Sequence, residues 1–153
     1  LSLSHVSIEK LIKRKELEIS PFSFNNLTSA GYDLRAYKNV KLKPMEHTLV
    51  ATLERVKLSL KLIGLLFIKS SLAREGIFAS LAVVDPGFNG QLTISLFNST
   101  NKLIQINEKE PFVQIVFFKL IEEAKMGYEG KYQHSKGIVK SKRINKNLVK
   151  TNV

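Results

Sequence analysis

The sequence predicts an all-β sandwich or jelly roll preceded by one short helix. Three observations carry this expectation. Short apolar or alternating segments recur along the chain. Pro, Gly, Asn and Asp clusters punctuate them at regular intervals. Helical periodicity is confined to the N-terminal stretch, so layers of sheet must bury the apolar faces.

Residues 4–17 (SHVSIEKLIKRKEL) read as that helix, with Val6, Ile8, Leu11, Ile12 and Leu17 near one face and Ser4 or Ser7 as its cap. Ile19 to Phe24 is short and extended, broken at Pro21. In SAGYDLRA (29–36), Gly31 permits a bend or a close backbone approach, and Asp33 follows Tyr32. Val40–Lys43 and Thr48–Thr52 read as strands around a Pro44-Met-Glu turn. Val56–Leu60 and Ile63–Ile68 are further strands, the second nearly all apolar and therefore central. Lys69-Ser70-Ser71 with Arg74 forms a polar cluster that supplies hydroxyls and cationic donors, groups suited to phosphate oxygens. The apolar run Leu81–Val84 meets the Asp85-Pro-Gly-Phe88 turn. Beyond Gly90, Leu92, Ile94 and Leu96 alternate with Thr93 and Ser95, so Asp85 is expected at a hairpin rim with sheet on both sides. Lys102–Asn107 is a weak strand, and Phe112–Leu120 a strong one whose early polar residue is Gln114. Gly127–Gly137 (GYEGKYQHSKG) is glycine-punctuated and aromatic.

Composition bounds the function. A chain of 153 residues with 44% hydrophobic content suits one domain with one core. Cysteine is absent, which excludes a disulfide framework, a thiolate metal site and a cysteine nucleophile. His5, His47 and His134 are scattered. No signal peptide and no apolar run of about 18 residues is present, so no membrane partner is expected and the cytoplasm is the default location. The formal net charge is +11, with Lys131, Lys136, Lys140, Lys142, Arg143, Lys146 and Lys150 late in the chain and no acid among them. This is either a solvated tail or a segment that meets a polyanion.

Five segments in order resemble the trimeric dUTPase and dCTP deaminase superfamily. SAGYDLRA (29–36) is similar to the first dUTPase motif, and KSSLAREG (69–76) to the second in its deaminase form. VVDPGFNGQLTISLFN (83–98) is similar to the third, Gln114 in PFVQIVFF to the fourth, and GKYQHSKGIV (130–139) to the deaminase lid. The resemblance implies a distorted jelly roll, the dUTPase-like β-clip, over residues 1–140. Its lid would begin at about residue 128, with 141–153 as a basic tail. It further implies a homotrimer with active sites at subunit interfaces, dUTP as ligand and Mg²⁺ as cofactor, and it sets nucleic acid aside as a partner.

The roles it implies are specific. Asp85 matches the base that takes a proton from the water attacking the α-phosphorus. Lys69, Ser70, Ser71, Arg74 and Gln114 match phosphate contacts. Asp33 would reach Mg²⁺ through water, the triphosphate itself supplying most ligands. Ala82 and Thr93 would offer backbone groups to uracil from the hairpin within 79–93. Phe88 stands where dUTPases have Tyr beneath the deoxyribose. Tyr132 would stack on the base and Lys131 would reach the phosphates. Lys69 replaces the usual Arg, so a bidentate fork becomes a point charge.

The resemblance covers two chemistries. Deaminases carry a Glu on the strand after the third motif, and Ser95 occupies that position here. A serine hydroxyl has no accessible pKa for moving protons to and from cytosine. The expected activity is therefore hydrolysis of dUTP to dUMP and diphosphate. The alternatives are a dCTP deaminase or bifunctional enzyme, and a non-catalytic nucleotide-binding protein on the same fold.

Overall fold

The computed structural model describes residues 1–143, with eleven strands, two short α-helices and one 3₁₀ turn at Phe24–Asn26 among them. Helix α1 spans His5–Lys13, shorter than the expected 4–17. Ser4 caps it, its hydroxyl accepting from the Ser7 N–H at 3.5 Å. Lys15, at φ 58°, ends the helical path, and Leu17 already belongs to the next strand. Ile8 is fully buried while Val6 stays exposed, so the apolar face is narrower than the sequence suggests.

Four strands form one sheet in the order β1-β5-β9-β7, with β1 Leu17–Ser20, β5 His47–Leu58, β9 Asn89–Asn98 and β7 Ile77–Ser80. Five form the other in the order β2-β3-β11-β6-β8, with β2 Leu27–Thr28, β3 Gly31–Arg35, β11 Pro111–Lys119, β6 Leu62–Ile68 and β8 Val83–Val84. β4 (Val40–Leu42) and β10 (Ile104–Ile106) make a separate pair. Alternate residues point inward. Val113, Ile115 and Phe117 of one sheet and Ile94, Leu96, Val56 and Leu58 of the other join a single apolar core. The all-β fold with one N-terminal helix is thus as the residues predict. No helix among the described residues is long and apolar enough to cross a membrane.

Two local expectations are corrected. Thr48–Thr52 and Val56–Leu58 are not separate strands; they belong to β5, which runs unbroken through an irregular middle and ends before the expected Leu60. In the polar cluster after β6, Ser70–Arg74 winds into one helical turn, α2, anchored by buried Leu72. Asp85 does not sit on a hairpin between its flanking strands, because β8 pairs with β6 in one sheet and β9 with β5 and β7 in the other. The Asp85–Phe88 turn therefore crosses from sheet to sheet. Its geometry still follows from the sequence: the Phe88 N–H donates to the Asp85 carbonyl at 3.1 Å, and Gly87 takes φ +77° as a type II turn requires. Ile63–Ile68 is interior to its sheet as expected, yet one face of β6 remains open, with Phe67 47% exposed.

The irregularity in β5 has an electrostatic cause. Ala51 pairs with Thr93 and Arg55 with Gln91, so residues 52–54 face Leu92 alone. The bulge carries Glu54 inward, where its side chain is fully buried. Arg35 meets it twice: its backbone N–H donates to Oε2 at 2.8 Å and its Nε pairs with Oε1. Burial pushes the Glu54 carboxyl above its ordinary 4.5, and the Arg35 hydrogen bonds pull the other way. A native carboxyl that holds its proton to higher pH than the unfolded one makes stability fall as pH rises above 4.5. Arg35→Met removes the offsetting partner. The expected loss is about 3–5 kcal/mol near pH 8, shrinking as the pH is lowered toward about 5. Urea denaturation at the two pH values measures both.

Candidate active site

A cavity of about 320 Å³ opens between the β8–β9 turn and the segment that follows β11. Ala82, Val84, Asp85, Phe88, Gln91 and Thr93 line one side, and Tyr128, Tyr132, Ser135 and Val139 the other. The volume falls within the range of small-molecule sites, about 300–1,000 Å³. Five predicted residues thus meet here: Ala82, Asp85, Phe88, Thr93 and Tyr132. Asp85 is exposed to the cavity and forms no ion pair among the described residues. Phe88 is buried and packs edge-on against Tyr128, with ring centroids 5.6 Å apart. The Tyr128 N–H donates to the Pro86 carbonyl at 2.8 Å, and a Cβ on Gly87 would come within 2.8 Å of the Gly127 Cα. The turn that carries Asp85 is therefore wedged against the root of the following segment.

That segment lies along β9 for a physical reason. β7 pairs only with Ser95–Asn98, at the far end of β9, which leaves one edge of that strand bare from Asn89 to Thr93. Residues 133–139 cover it. The His134 N–H donates to the Asn89 carbonyl at 2.8 Å, and the Gln91 N–H to the Ser135 carbonyl at 2.9 Å. The Val139 N–H donates to Thr93 Oγ1 at 3.0 Å. Gln91, which the sequence reading passed over, is central to this closure. Its amide N–H groups reach the Thr52 and Leu53 carbonyls at 2.8 and 3.2 Å, and its oxygen accepts the Gly137 N–H at 2.7 Å. Strand alternation could have found it, since Gln91 shares a face with Thr93.

A second cluster gathers Asp33, Lys69 and Gln114. Lys69 Nζ lies 2.6 Å from Asp33 Oδ2, and Gln114 Nε2 donates to Asp33 Oδ1 at 3.2 Å and to Thr28 Oγ1 at 3.1 Å. Asp33 and Gln114 are register partners across β3 and β11, which explains the contact. Both Asp33 oxygens are thus engaged, and the carboxylate holds Lys69 in place. Ser70, Ser71 and Arg74 project from α2, all exposed. Lys131 lies outside both clusters; its ammonium donates to the Lys142 carbonyl at 3.2 Å.

One chain does not bring the two clusters together. Val84 pairs with Gly64, so the register sets Asp85 beside Ile63, whereas Lys69 follows the other end of β6. Six residues of strand separate them, roughly 20 Å at about 3.3 Å per residue.

The described residues contain no group of three or more His, Cys, Asp or Glu that could hold a metal ion. This donor set fits a Mg²⁺ carried by phosphate oxygens and water rather than by a protein cage. The basic residues 144–153 lie outside the described residues.

A dUTPase family model matches residues 19–142. The chain belongs to the dUTPase family. Within this family, it is 47% identical over 144 residues to a protein of Thermococcus gammatolerans named dCTP deaminase, covering 84% of this chain and 92% of that one. It is 32% identical over 155 residues to a protein of Sulfolobus islandicus rod-shaped virus 1, covering 92% and 98%. That relative bears the name "Probable deoxyuridine 5'-triphosphate nucleotidohydrolase". Among solved structures, the 2'-deoxycytidine 5'-triphosphate deaminase of Agrobacterium tumefaciens superposes with a TM-score of 0.66 at 17% identity, covering 76% of this chain and 47% of that chain. The dUTPase of phage phi11 of S. aureus superposes at 0.58 with 21% identity, covering 74% and 96%. At these identities the solved structures speak for the fold, which is dUTPase-like.

Gln91→Ala should loosen the segment along β9 without unfolding the sheets, because the Gly137 N–H loses its side-chain acceptor, together with the two bonds to β5 that hold that amide in place. Trypsin cleavage after Lys131 and Lys136 should quicken by about tenfold, the order expected for losing net hydrogen-bond energy of this size. Mass spectrometry of early fragments reads it.

Proposed function

We propose that this enzyme hydrolyses dUTP to dUMP and diphosphate, with Asp85 as the general base and Mg²⁺ carried on the triphosphate. One observation carries the reading: among the described residues, Asp85 is the single carboxylate that lines the cavity. It is exposed and held on a turn braced from both sheets, as a base for water requires.

The residues divide the work by charge. Asp85 accepts the proton of the water that attacks the α-phosphorus. Lys69 and Arg74 supply positive charge to the leaving diphosphate, and Ser70 and Ser71 supply hydroxyl donors. Asp33 orients Lys69 through the 2.6 Å pair, and Gln114 holds the far oxygen of Asp33. Bound on the triphosphate, Mg²⁺ neutralises charge on its oxygens. Uracil lies against backbone groups of Ala82 and Thr93, and Tyr132 covers it. Phe88 sits beneath the sugar, where its buried ring crowds out a 2′-hydroxyl. The segment from about residue 128 acts as the lid that excludes water.

The separation of the two clusters along β6 supports a site completed by a neighbouring subunit, which supplies the phosphate-binding groups. A homotrimer with sites at its interfaces does so. The outer face of the five-stranded sheet supports this assembly. Val116 pairs with Leu65, Phe118 with Ile63, and Leu65 with Val83, so these side chains form register-matched rows on the half-exposed face. A stretch of apolar surface of this kind on a sheet face is typical of association.

A second reading is deamination of dCTP, favoured by the name of the Thermococcus gammatolerans relative. Against it stands Ser95, two residues beyond Thr93 on β9 and paired with Leu49 and Ser80. It shares the Thr93 face but offers a hydroxyl where proton transfer to the ring needs a titratable group.

Four measurements test these assignments. Supplied with dUTP and dCTP in Mg²⁺, the enzyme should release diphosphate from dUTP and no ammonia from dCTP; ammonia from dCTP would select deamination. Asp85→Asn should keep the turn, since Asn is a good turn residue, and cut hydrolysis by about 10²–10⁴-fold. A non-hydrolysable dUTP analogue should bind the variant equally well or more tightly, because a negative charge facing the triphosphate is gone. Light scattering should return a mass near three times 17.3 kDa; a single-subunit mass at micromolar concentration would defeat the interface site.

A further inference from the structure

We propose that a second anion site, shaped for a linked pair of phosphate groups, lies between α1 and the rim where β6 begins and β11 ends. Four cations converge there. Lys10 comes from α1 and Arg14 from its C-cap, four residues apart, with Ser7 one turn behind Lys10. Lys61 precedes β6, and Lys119 ends β11 opposite Leu62. They surround a cavity of about 210 Å³ whose floor is apolar, Leu3, Leu11 and Leu62. It shares no lining residue with the cavity around Asp85.

The charge balance is one-sided. Glu16 is the one carboxylate at this cavity, so four cations less one acid leave a formal +3. None of the four cations forms an ion pair with a carboxylate among the described residues. A helix C-terminus favours basic residues, which accounts for Lys10 and Arg14. It does not account for Lys61 and Lys119, which the sheet brings to the same hollow. Like charges so placed repel unless an anion sits among them, and a concave site with an apolar floor concentrates the field.

Size and charge select the ligand. The cavity is smaller than the roughly 300 Å³ at which sites for whole drug-sized molecules begin. One phosphate group brings about −1.5 to −2 at pH 7, so two linked groups match the formal +3. A Ser7 hydroxyl beside the cations adds a neutral donor.

The test uses the full chain with the dUTP site first saturated by a non-hydrolysable dUTP analogue. Inorganic diphosphate and ADP are then titrated separately by calorimetry at low salt. Diphosphate binding alone identifies a free anion as the ligand; binding of both identifies the linked phosphates of a nucleotide as acceptable. In Arg14→Ala/Lys61→Ala the affinity for either should fall by about tenfold or more, the loss expected when charge-assisted hydrogen bonds go. Affinity for the dUTP analogue should stay unchanged. Should the double variant fail to fold by circular dichroism, Lys10→Gln on the exposed face replaces it, with a several-fold weakening expected. No saturable heat from either ligand, or heat that the substitutions leave unchanged, overturns the proposal. If the dUTP analogue itself does not bind, the comparison of variant with wild type still decides this site, so the two readings fail separately.

Discussion

A buried ion pair between Arg35 and Glu54 fixes the part of the sheet on which the candidate site is built. A carboxylate with no exposed side-chain surface must be met by donors, and Arg35 supplies two. Meeting them requires β5 to leave its register with β9 for three residues. That departure strands backbone groups, and side chains recover them. Thr52 Oγ1 donates to the Glu54 carbonyl and accepts the Leu92 N–H, while the Gln91 amide takes the carbonyls of Thr52 and Leu53. The free end of that same amide holds Gly137. A contact buried in the sandwich thus sets the position of a segment that closes the cavity, through consecutive hydrogen-bonded steps.

Much of this was legible in the sequence, and the rest was hidden for identifiable reasons. Alternation marks β9 and β11, and Asp-Pro-Gly marks a tight turn, because both are local properties of side chains and φ angles. Five candidate residues around the cavity, from Ala82 to Tyr132, follow from motif and turn alone. What local reading could not see was pairing. Nothing in VVDPGFNG says that Val84 joins one sheet and Asn89 the other, so the expected hairpin became a crossing. Glu54 in ATLERVKL looks like an ordinary outward residue, because only its distant partner Arg35 makes its burial tolerable. Lys69 read as a phosphate ligand, and its pairing with Asp33 shows that such a side chain can also be held by a neighbour from another strand.

The two chemistries of the family differ here by few groups. Fold, turn and lid segment suit either, which agrees with relatives that carry names of both kinds. In the proposed reading, what separates them is the identity of one side chain on β9, Ser95, and the one carboxylate that lines the cavity among the described residues. Fold-level likeness carries no weight in that choice; site chemistry does.

The crossing turn has a mechanical consequence. Asp85 is suspended between β8 in one layer and β9 in the other, so its position at the cavity is set by the thickness of the core that keeps the layers apart. Ile115 and Leu96 act as spacers for the carboxylate, although neither lines the cavity. In a close-packed interior that transmits strain, a methylene gained or lost there shifts the Asp85 carboxylate relative to the opposite wall of the cavity. Drift in activity among such chains can therefore originate in core volume, in residues that no inspection of the cavity would single out.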